Sequence, residues 1–209
     1  MHIDLLFDKY SNRVPSIIGE EKFTKYAVFL PILKKDEEYH ILFEVRALHM
    51  RRQPGEICFP GGKVDKVDVN SMETALRETR EELGIEKENI QHIFPLDYII
   101  SPFGTIIYPY AGFINEVKKI TPNPAEVATT FTIPLSYFNN IEPECFKVNF
   151  KAIPEKNFPF HLISGGENYN WQTRYMEELF YYFEDKAIWG LTAAILKNFI
   201  NLIKRDNSM

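Results

Sequence analysis

The part of this chain best equipped for chemistry is Arg77-Glu78-Thr79-Arg80-Glu81-Glu82-Leu83-Gly84. Glu78, Glu81 and Glu82 stand three and four residues apart, the spacing that makes side chains neighbours on a helix surface. At about 100° per residue, Met72, Ala75, Leu76, Thr79 and Leu83 fall in one apolar arc, with Glu78 and Glu82 beside it and Glu81 further round. Carboxylates packed this closely repel unless something positive sits among them. Mg²⁺ and Mn²⁺ prefer carboxylate oxygen and retain waters for exchange, so a hard divalent cation is the natural partner. Arg77, four residues before Glu81, can hold that carboxylate in place. The bland alternative is a solvated acidic face with ordinary pairs such as Glu73 with Arg77. Phe59-Pro60-Gly61-Gly62 tips the reading toward the metal. Paired glycines let backbone approach a ligand closely, and a free carbonyl at Gly62 can complete a metal shell.

These groups need elements to position them. Asn70 to Leu83 is the clearest helix: Asn70 can cap it, Glu73 takes the capping-box position, and Gly84 can end it in a left-handed conformation. Before it, Tyr26 to Leu33 reads as a strand, Lys34 to Glu38 as a charged turn, and Tyr39 to Val45 as the hairpin partner. A polar stretch from Arg46 to Gly55 leads to a short strand entering Phe59-Pro60-Gly61-Gly62. After the helix, Ile93 to Ile100 and Ile106 to Val117 read as strands around a Ser-Pro-Phe-Gly turn, and Thr129 to Ile133 as another. Aromatic-rich Tyr169 to Phe183 predicts further strands, with Trp171 and the tyrosines from Tyr169 to Tyr182 mainly as core. Lys186 to Lys204 predicts a closing helix with Ala187, Leu191, Ala194, Ile195, Phe199 and Leu202 on its apolar face. Ile3 to Tyr10 reads as a short amphipathic helix or arm. The expected class is α/β, a mixed β-sheet sandwiched between α-helices.

A length of 209 residues suits one domain, and no repeat, low-complexity tract or composition break marks a second. We expect a single domain over residues 1–209, with an N-terminal arm over 1–25 and a C-terminal helix over 186–209. No apolar run approaches the ~20 residues that span a bilayer. The opening residues carry acids early without a leader pattern, and Asn207-Ser208-Met209 matches no organelle address, so a cytoplasmic location is expected. A net charge of −5 argues against nucleic acid as the partner. An anionic small molecule stays admissible, because metals and local arginines outweigh a modest global charge. With two cysteines, neither a disulfide framework nor a cysteine-based zinc site is expected, and Cys58 reads as a core filler.

Arg77 to Ile85 resembles the core of the Nudix box, Arg-Glu-apolar-any-Glu-Glu-any-Gly-apolar, with Thr79 in an apolar slot. Gly62 lies one residue further from Arg77 than the standard box has it, and Val69 stands where that box places its first Glu; Asp65 and Asp68 are the nearby acids. A longer spacing with loop aspartates is characteristic of the coenzyme A pyrophosphatase branch. Arg46-Ala47, Arg51, Gly55 and Phe59 to Gly62 are similar to that branch's upstream signature, although Phe43-Glu44-Val45 replaces its Leu-Thr-any lead-in. Ile188 to Ala193 resembles the opening of its final helix. Asn123 to Val127, followed by Phe131 and Ile133-Pro134-Leu135, resembles a connection common in Nudix folds.

The resemblance implies a Nudix fold and metal-dependent hydrolysis of coenzyme A, or a derivative, to 4′-phosphopantetheine and adenosine 3′,5′-bisphosphate. It implies Glu78 and Glu82 as principal ligands of Mg²⁺ or Mn²⁺, with Glu81 third and Gly62 assisting. One of these glutamates or Glu126 would be general base, and Arg77 would orient the carboxylates. Arg46, Arg51 and Arg52 are candidates for the substrate phosphates, since a guanidinium fork suits phosphate oxygens. His49 reads as a surface residue. A Nudix hydrolase of ADP-ribose, dinucleotides or nucleoside triphosphates is the rival reading, and a non-catalytic nucleotide sensor the second. The sequence leaves a homodimer open.

Overall fold

Alternation along two strands decides on which side of the sheet each helix packs. In β1 (Thr24–Lys35) and β2 (Glu38–Arg46), Ala27, Phe29, Leu33 and Leu42 face one side, and Leu30, Ile41 and Phe43 the other. The first set packs with Ala75, Leu76 and Leu83 of α2 (Ser71–Leu83). The second packs with Ala193, Ile195, Leu196, Phe199 and Ile200 of α3 (Gly190–Asp206). A mixed sheet between helices therefore follows from strands buried on both faces. The computed structural model describes residues 3–206. The expectations for Asn207 to Met209 and for the first two residues lie outside them.

The large sheet has eight strands. Its main path runs β3 (Ile57–Cys58), β2, β1, β7 (Thr105–Ile114), β5 (Ile90–Pro95). Outside that path, β4 (Gly61–Lys63) pairs with β1, β6 (Ile99–Ser101) with β7, and β8 (Val127–Pro134) with β2. Only β1 and β7 run parallel among these pairs, in register from Thr24 opposite Thr105 to Leu33 opposite Ile114. Helix α1 (Ile3–Tyr10) is the arm, with Phe7 and Tyr10 exposed.

Several expectations change. The single strand expected over Ile93 to Ile100 is two, because β5 lies along the far half of β7 while β6 turns back on its near half. β7 stops at Ile114, and Val117–Lys119 is a short 3₁₀ turn. Of Tyr169 to Phe183 only Arg174–Phe183 (β10) is strand. The closing helix does not begin at Lys186. Lys186–Trp189 is β11, antiparallel to β10, with Ile188 buried between exposed Ala187 and Trp189, a period of two. Gly190, at φ 60°, then admits the turn into α3. The buried face of α3 accordingly carries Thr192, Ala193, Ile195, Leu196, Phe199 and Ile200, and Leu191 is exposed. β9 (Glu144–Phe150) went unforeseen; it completes a three-stranded sheet with β10 and β11, and it buries no residue that would advertise a strand.

Candidate active site

β1 and β2 run together only near their turn, from Ile32 opposite Ile41 to Lys35 opposite Glu38. Beyond that they part. β2 takes β3 alongside Glu44 and Val45, and β1 takes β4 alongside Tyr26, Ala27 and Val28. The segment from Ile57 to Lys63 thus fills the gap between the splayed strands, tied by the Phe29 N–H donating to the Pro60 carbonyl at 2.8 Å. Helix α2 lies directly on it. The Gly61 N–H donates to Glu82 Oε2 at 2.8 Å. A Cβ on Gly62 would stand 2.3 Å from the Glu78 carboxyl carbon, so glycine here leaves that carboxylate the position it takes.

The helix ends are built as its sequence implies. The Asn70 side chain accepts from the Glu73 N–H at 3.0 Å, and Gly84 at φ 62° donates its N–H to Arg80 O at 2.9 Å. The Glu73–Arg77 pair of the bland alternative does not form: Glu73 takes Lys87 Nζ at 2.8 Å, while Asp68 holds Arg77. Arg77 Nε and Nη2 donate to the two oxygens of Asp68, each at 3.1 Å. Asp68 Oδ2 also accepts from Thr74 Oγ1 at 2.8 Å and the Asp65 N–H at 3.0 Å. This array, led by the Arg77 guanidinium, holds the Asp68 carboxyl well below the usual carboxylate range. Val69 is 88% exposed, so of the neighbouring acids it is Asp68 that faces the arginine. Arg77 Nη1 in turn meets Glu78 at 2.8 Å and Glu81 at 3.3 Å.

The three helix glutamates divide by environment. Glu82 is buried, Glu78 is partly buried, and Glu81 is exposed. Burial pushes Glu82 well above its ordinary carboxyl range; the negative charges of Glu44, Glu78 and Glu126 add to this, and the Gly61 N–H opposes it. Burial also raises Glu78, with Glu81 and Glu126 reinforcing and Arg77 opposing. Glu44, unforeseen as a site residue, is raised by burial first and by Glu126, against the Cys58 thiol and Arg46. Cys58, expected as a core filler, is only partly buried and lies outside both apolar clusters; its Sγ–H donates to Glu44 Oε1 at 3.3 Å. The signal for Glu44 was available: it falls in phase with inward-facing Leu42 on an alternating strand.

Glu126 arrives from the far end of α2. The Asn123 N–H donates to Glu82 O at 2.9 Å, and the Glu126 N–H to Asn123 O at 3.0 Å. The Ala47 N–H donates to Glu126 O at 2.8 Å, and exposed His49 donates from Nε2 to Ala125 O at 3.0 Å. The loop from Arg46 to Gly55 is thereby latched to the segment carrying Glu126. Arg46 lies within electrostatic reach of Glu44 and Cys58, and Arg51 and Arg52 are exposed on the loop. Tyr181 is core, but Tyr169, Trp171, Tyr175 and Tyr182 are exposed, against the expectation for that aromatic stretch.

The donors suit a hard cation: all are carboxylate or backbone oxygens, and mutual repulsion leaves them short of positive charge. Glu44 Oε2 is moreover buried without a hydrogen-bond partner. Among the described residues no three acidic, histidine or cysteine side chains form a ready-made cage. Glu82 is held by Gly61 and Glu78 by Arg77, so the carboxylates line one wall without closing on a point.

Residues 24–139 match the NUDIX domain. The chain is 36% identical over 114 residues to the peroxisomal coenzyme A diphosphatase NUDT7 of Mus musculus, covering 54% of this chain but only 48% of the mouse protein. It is 31% identical over 182 residues to the Nudix hydrolase NudL of Pectobacterium atrosepticum, covering 87% of this chain and 84% of that one. A MutT/nudix family protein from Enterococcus faecalis superposes with a TM-score of 0.49 at 17% identity, over 98% of this chain and 70% of that chain. No helix among the described residues is long and apolar enough to cross a membrane.

Proposed function

Because the chain belongs to the NUDIX family and is a Nudix hydrolase, we propose that it cleaves the diphosphate of coenzyme A or a close derivative. The products would be 4′-phosphopantetheine and adenosine 3′,5′-bisphosphate, water adding across one phosphoanhydride bond. The observation that carries the substrate is the likeness to the mouse coenzyme A diphosphatase over 114 residues. Supporting it, the loop with Arg46, Arg51 and Arg52 is latched beside the acidic wall, so guanidinium forks and carboxylates serve the same ligand.

In this reading Glu78, Glu82 and Glu81 hold Mg²⁺ or Mn²⁺ with help from Gly62. When bound there, such an ion would supply charge neutralisation for the diphosphate and a lowered pKa for the attacking water. The protein's own residues do the rest. Arg77, fixed by Asp68, orients Glu78 and Glu81 without touching substrate. Glu81 and Glu126 flank the wall, and one of them takes the proton of the attacking water. The arginine loop fixes the nucleotide phosphates, so positioning and electrostatics carry the rate. We read residues 1–209 as one unit, since α3 shares its core with β1 and β2.

The test incubates purified protein and Mg²⁺ or Mn²⁺ with coenzyme A, ADP-ribose, NADH and nucleoside triphosphates in parallel. Release of adenosine 3′,5′-bisphosphate from coenzyme A in preference to turnover of the others is the expected result. Turnover of ADP-ribose or a triphosphate alone replaces the substrate assignment; no turnover of any substrate removes the catalytic reading.

A further inference from the structure

Among the described residues the buried acidic residues are Glu82 on α2 and Glu44 on β2. Glu44 is 1% exposed. Its Oε1 accepts the weak hydrogen bond of the Cys58 thiol, and its Oε2 has no partner. Among the described residues no ion pair reaches it: Arg46, two residues along the same strand, has its Nε 3.5 Å from the Arg52 carbonyl instead. A buried carboxylate left in this state is costly unless a proton or a cation compensates it.

The fold shows where Glu44 points. Leu42 packs against Ala75, Leu76 and Leu83 of α2, whereas Phe43 packs on the opposite side of the sheet. Glu44, two residues after Leu42, therefore rises on the α2 side. It lies opposite Cys58 in the β2–β3 ladder, and three residues after Cys58 comes Gly61, whose N–H holds Glu82. The sheet thus brings a carboxylate to the α2 side, within electrostatic reach of Glu82 and Glu126.

We propose that Glu44 is an additional ligand of the divalent cation, contributed by the sheet through its free Oε2. This rests on the metal dependence argued above and extends the donor set beyond the helix. Three facts about this one side chain converge on it: its carboxylate is buried, its Oε2 has no partner, and it rises on the α2 side of the sheet. The Cys58 thiol then acts as a positioning group that fixes Oε1 and leaves Oε2 to the ion.

The experiment titrates Mn²⁺ into the chelator-treated full chain, following free Mn²⁺ by electron paramagnetic resonance and the melting temperature in parallel. Wild type, Glu44→Gln, Glu44→Thr and Glu82→Gln are compared. Glu44→Gln keeps shape and the acceptor for Cys58, and it should weaken Mn²⁺ binding about tenfold or more, the scale seen when a partner of a metal site is lost. It should shrink the Mn²⁺-induced rise in melting temperature while leaving the metal-free protein at least as stable as wild type. Glu44→Thr carries the same readout if the glutamine variant does not fold. Unchanged Mn²⁺ affinity in both Glu44 variants, with affinity lost in Glu82→Gln, would overturn the proposal and leave Glu44 as a proton-sharing neighbour. A wild type that binds neither Mn²⁺ nor Mg²⁺ overturns it together with the metal reading. Glu44-dependent Mn²⁺ binding without coenzyme A turnover supports the proposal and removes only the substrate assignment.

Discussion

Replacing Asp68 by Asn tests whether this aspartate anchors the catalytic helix. The Asp68 side chain is 6% exposed and accepts four hydrogen bonds, two of them from the Arg77 fork at 3.1 Å. Asparagine can offer only one oxygen, so in either orientation its NH₂ confronts a donor: Arg77 Nε on one side, or Arg77 Nη2, Thr74 and Asp65 on the other. A hydrogen bond to a charged group contributes about 1.5–3 kcal/mol, so Asp68→Asn should cost about 2 kcal/mol. For a chain of this length that lowers the melting temperature by roughly 4–8 °C. Freed from Asp68, Arg77 should turn fully to Glu78 and Glu81 and compete for carboxylates we propose as metal ligands. A misplacement of about 1 Å can cost up to 10²-fold in rate, and we expect kcat to fall by at least tenfold with KM little changed. Thermal melts and steady-state turnover of coenzyme A measure both effects. Adding Val69→Glu, which restores the acid of the standard box, should not rescue the variant, because position 69 faces solvent. Wild-type melting and turnover in Asp68→Asn, or full rescue by Val69→Glu, would refute this account of the helix anchor.

Gly62→Ala should remove at least 99% of turnover while circular dichroism stays native, since its methyl group must displace the Glu78 carboxylate 2.3 Å away; ordinary activity would show that Glu78 has room to spare. Glu82→Gln should abolish turnover yet leave the metal-free melt unchanged or higher, because the amide oxygen still accepts from Gly61 and the buried charge is gone; a collapsed fold would make the carboxylate structural. For metal-free protein the pH dependence has a definite sign. Glu44 and Glu82 are raised above the ordinary 4.5, so the native state holds protons that the unfolded chain releases, and stability falls as pH rises from about 4.5 upward. Asp68 is lowered from 3.8, so its contribution is full above that pH and disappears as pH falls below it. Urea midpoints of chelated protein should therefore drop by the equivalent of about 1–3 kcal/mol between pH 5.5 and 8.5, and Mn²⁺ should restore them; a flat or rising profile would contradict the repulsion described.

What the sequence disclosed was decided close by in the chain. Asn70 and Gly84 mark the ends of α2 because capping is a matter of a few adjacent residues, and the 3.6-residue period of Ala75, Leu76, Thr79 and Leu83 gives its buried face. Gly61 and Gly62 could be flagged as a place of close approach, but not that Glu78 and Glu82 are what approach. The phase of Glu44 with Leu42 could show which face it takes, but not its burial, which depends on β3 crossing between splayed strands, a contact 14 residues away in sequence. Asp68 could not be chosen over Asp65 until the loop geometry turned one carboxylate toward Arg77 and used the N–H of the other as its donor. β9 lacks any buried face, and β11 was masked by apolar residues that a helical period fits nearly as well.

The parallel pairing of β1 with β7 has a consequence for how the enzyme comes into being. Thr24 and Thr105 are neighbours in the ladder although about 80 residues separate them, and Glu44, the paired glycines and all of α2 lie inside the loop they close. The entropy of closing that loop must be met before the floor under α2 exists, which places this fold among the slower to form. On a ribosome, Glu44, Glu78, Glu81 and Glu82 are synthesised well before β7, and Glu126 only after it. Until residues 105–114 emerge and dock, the nascent chain carries the whole box and none of the site.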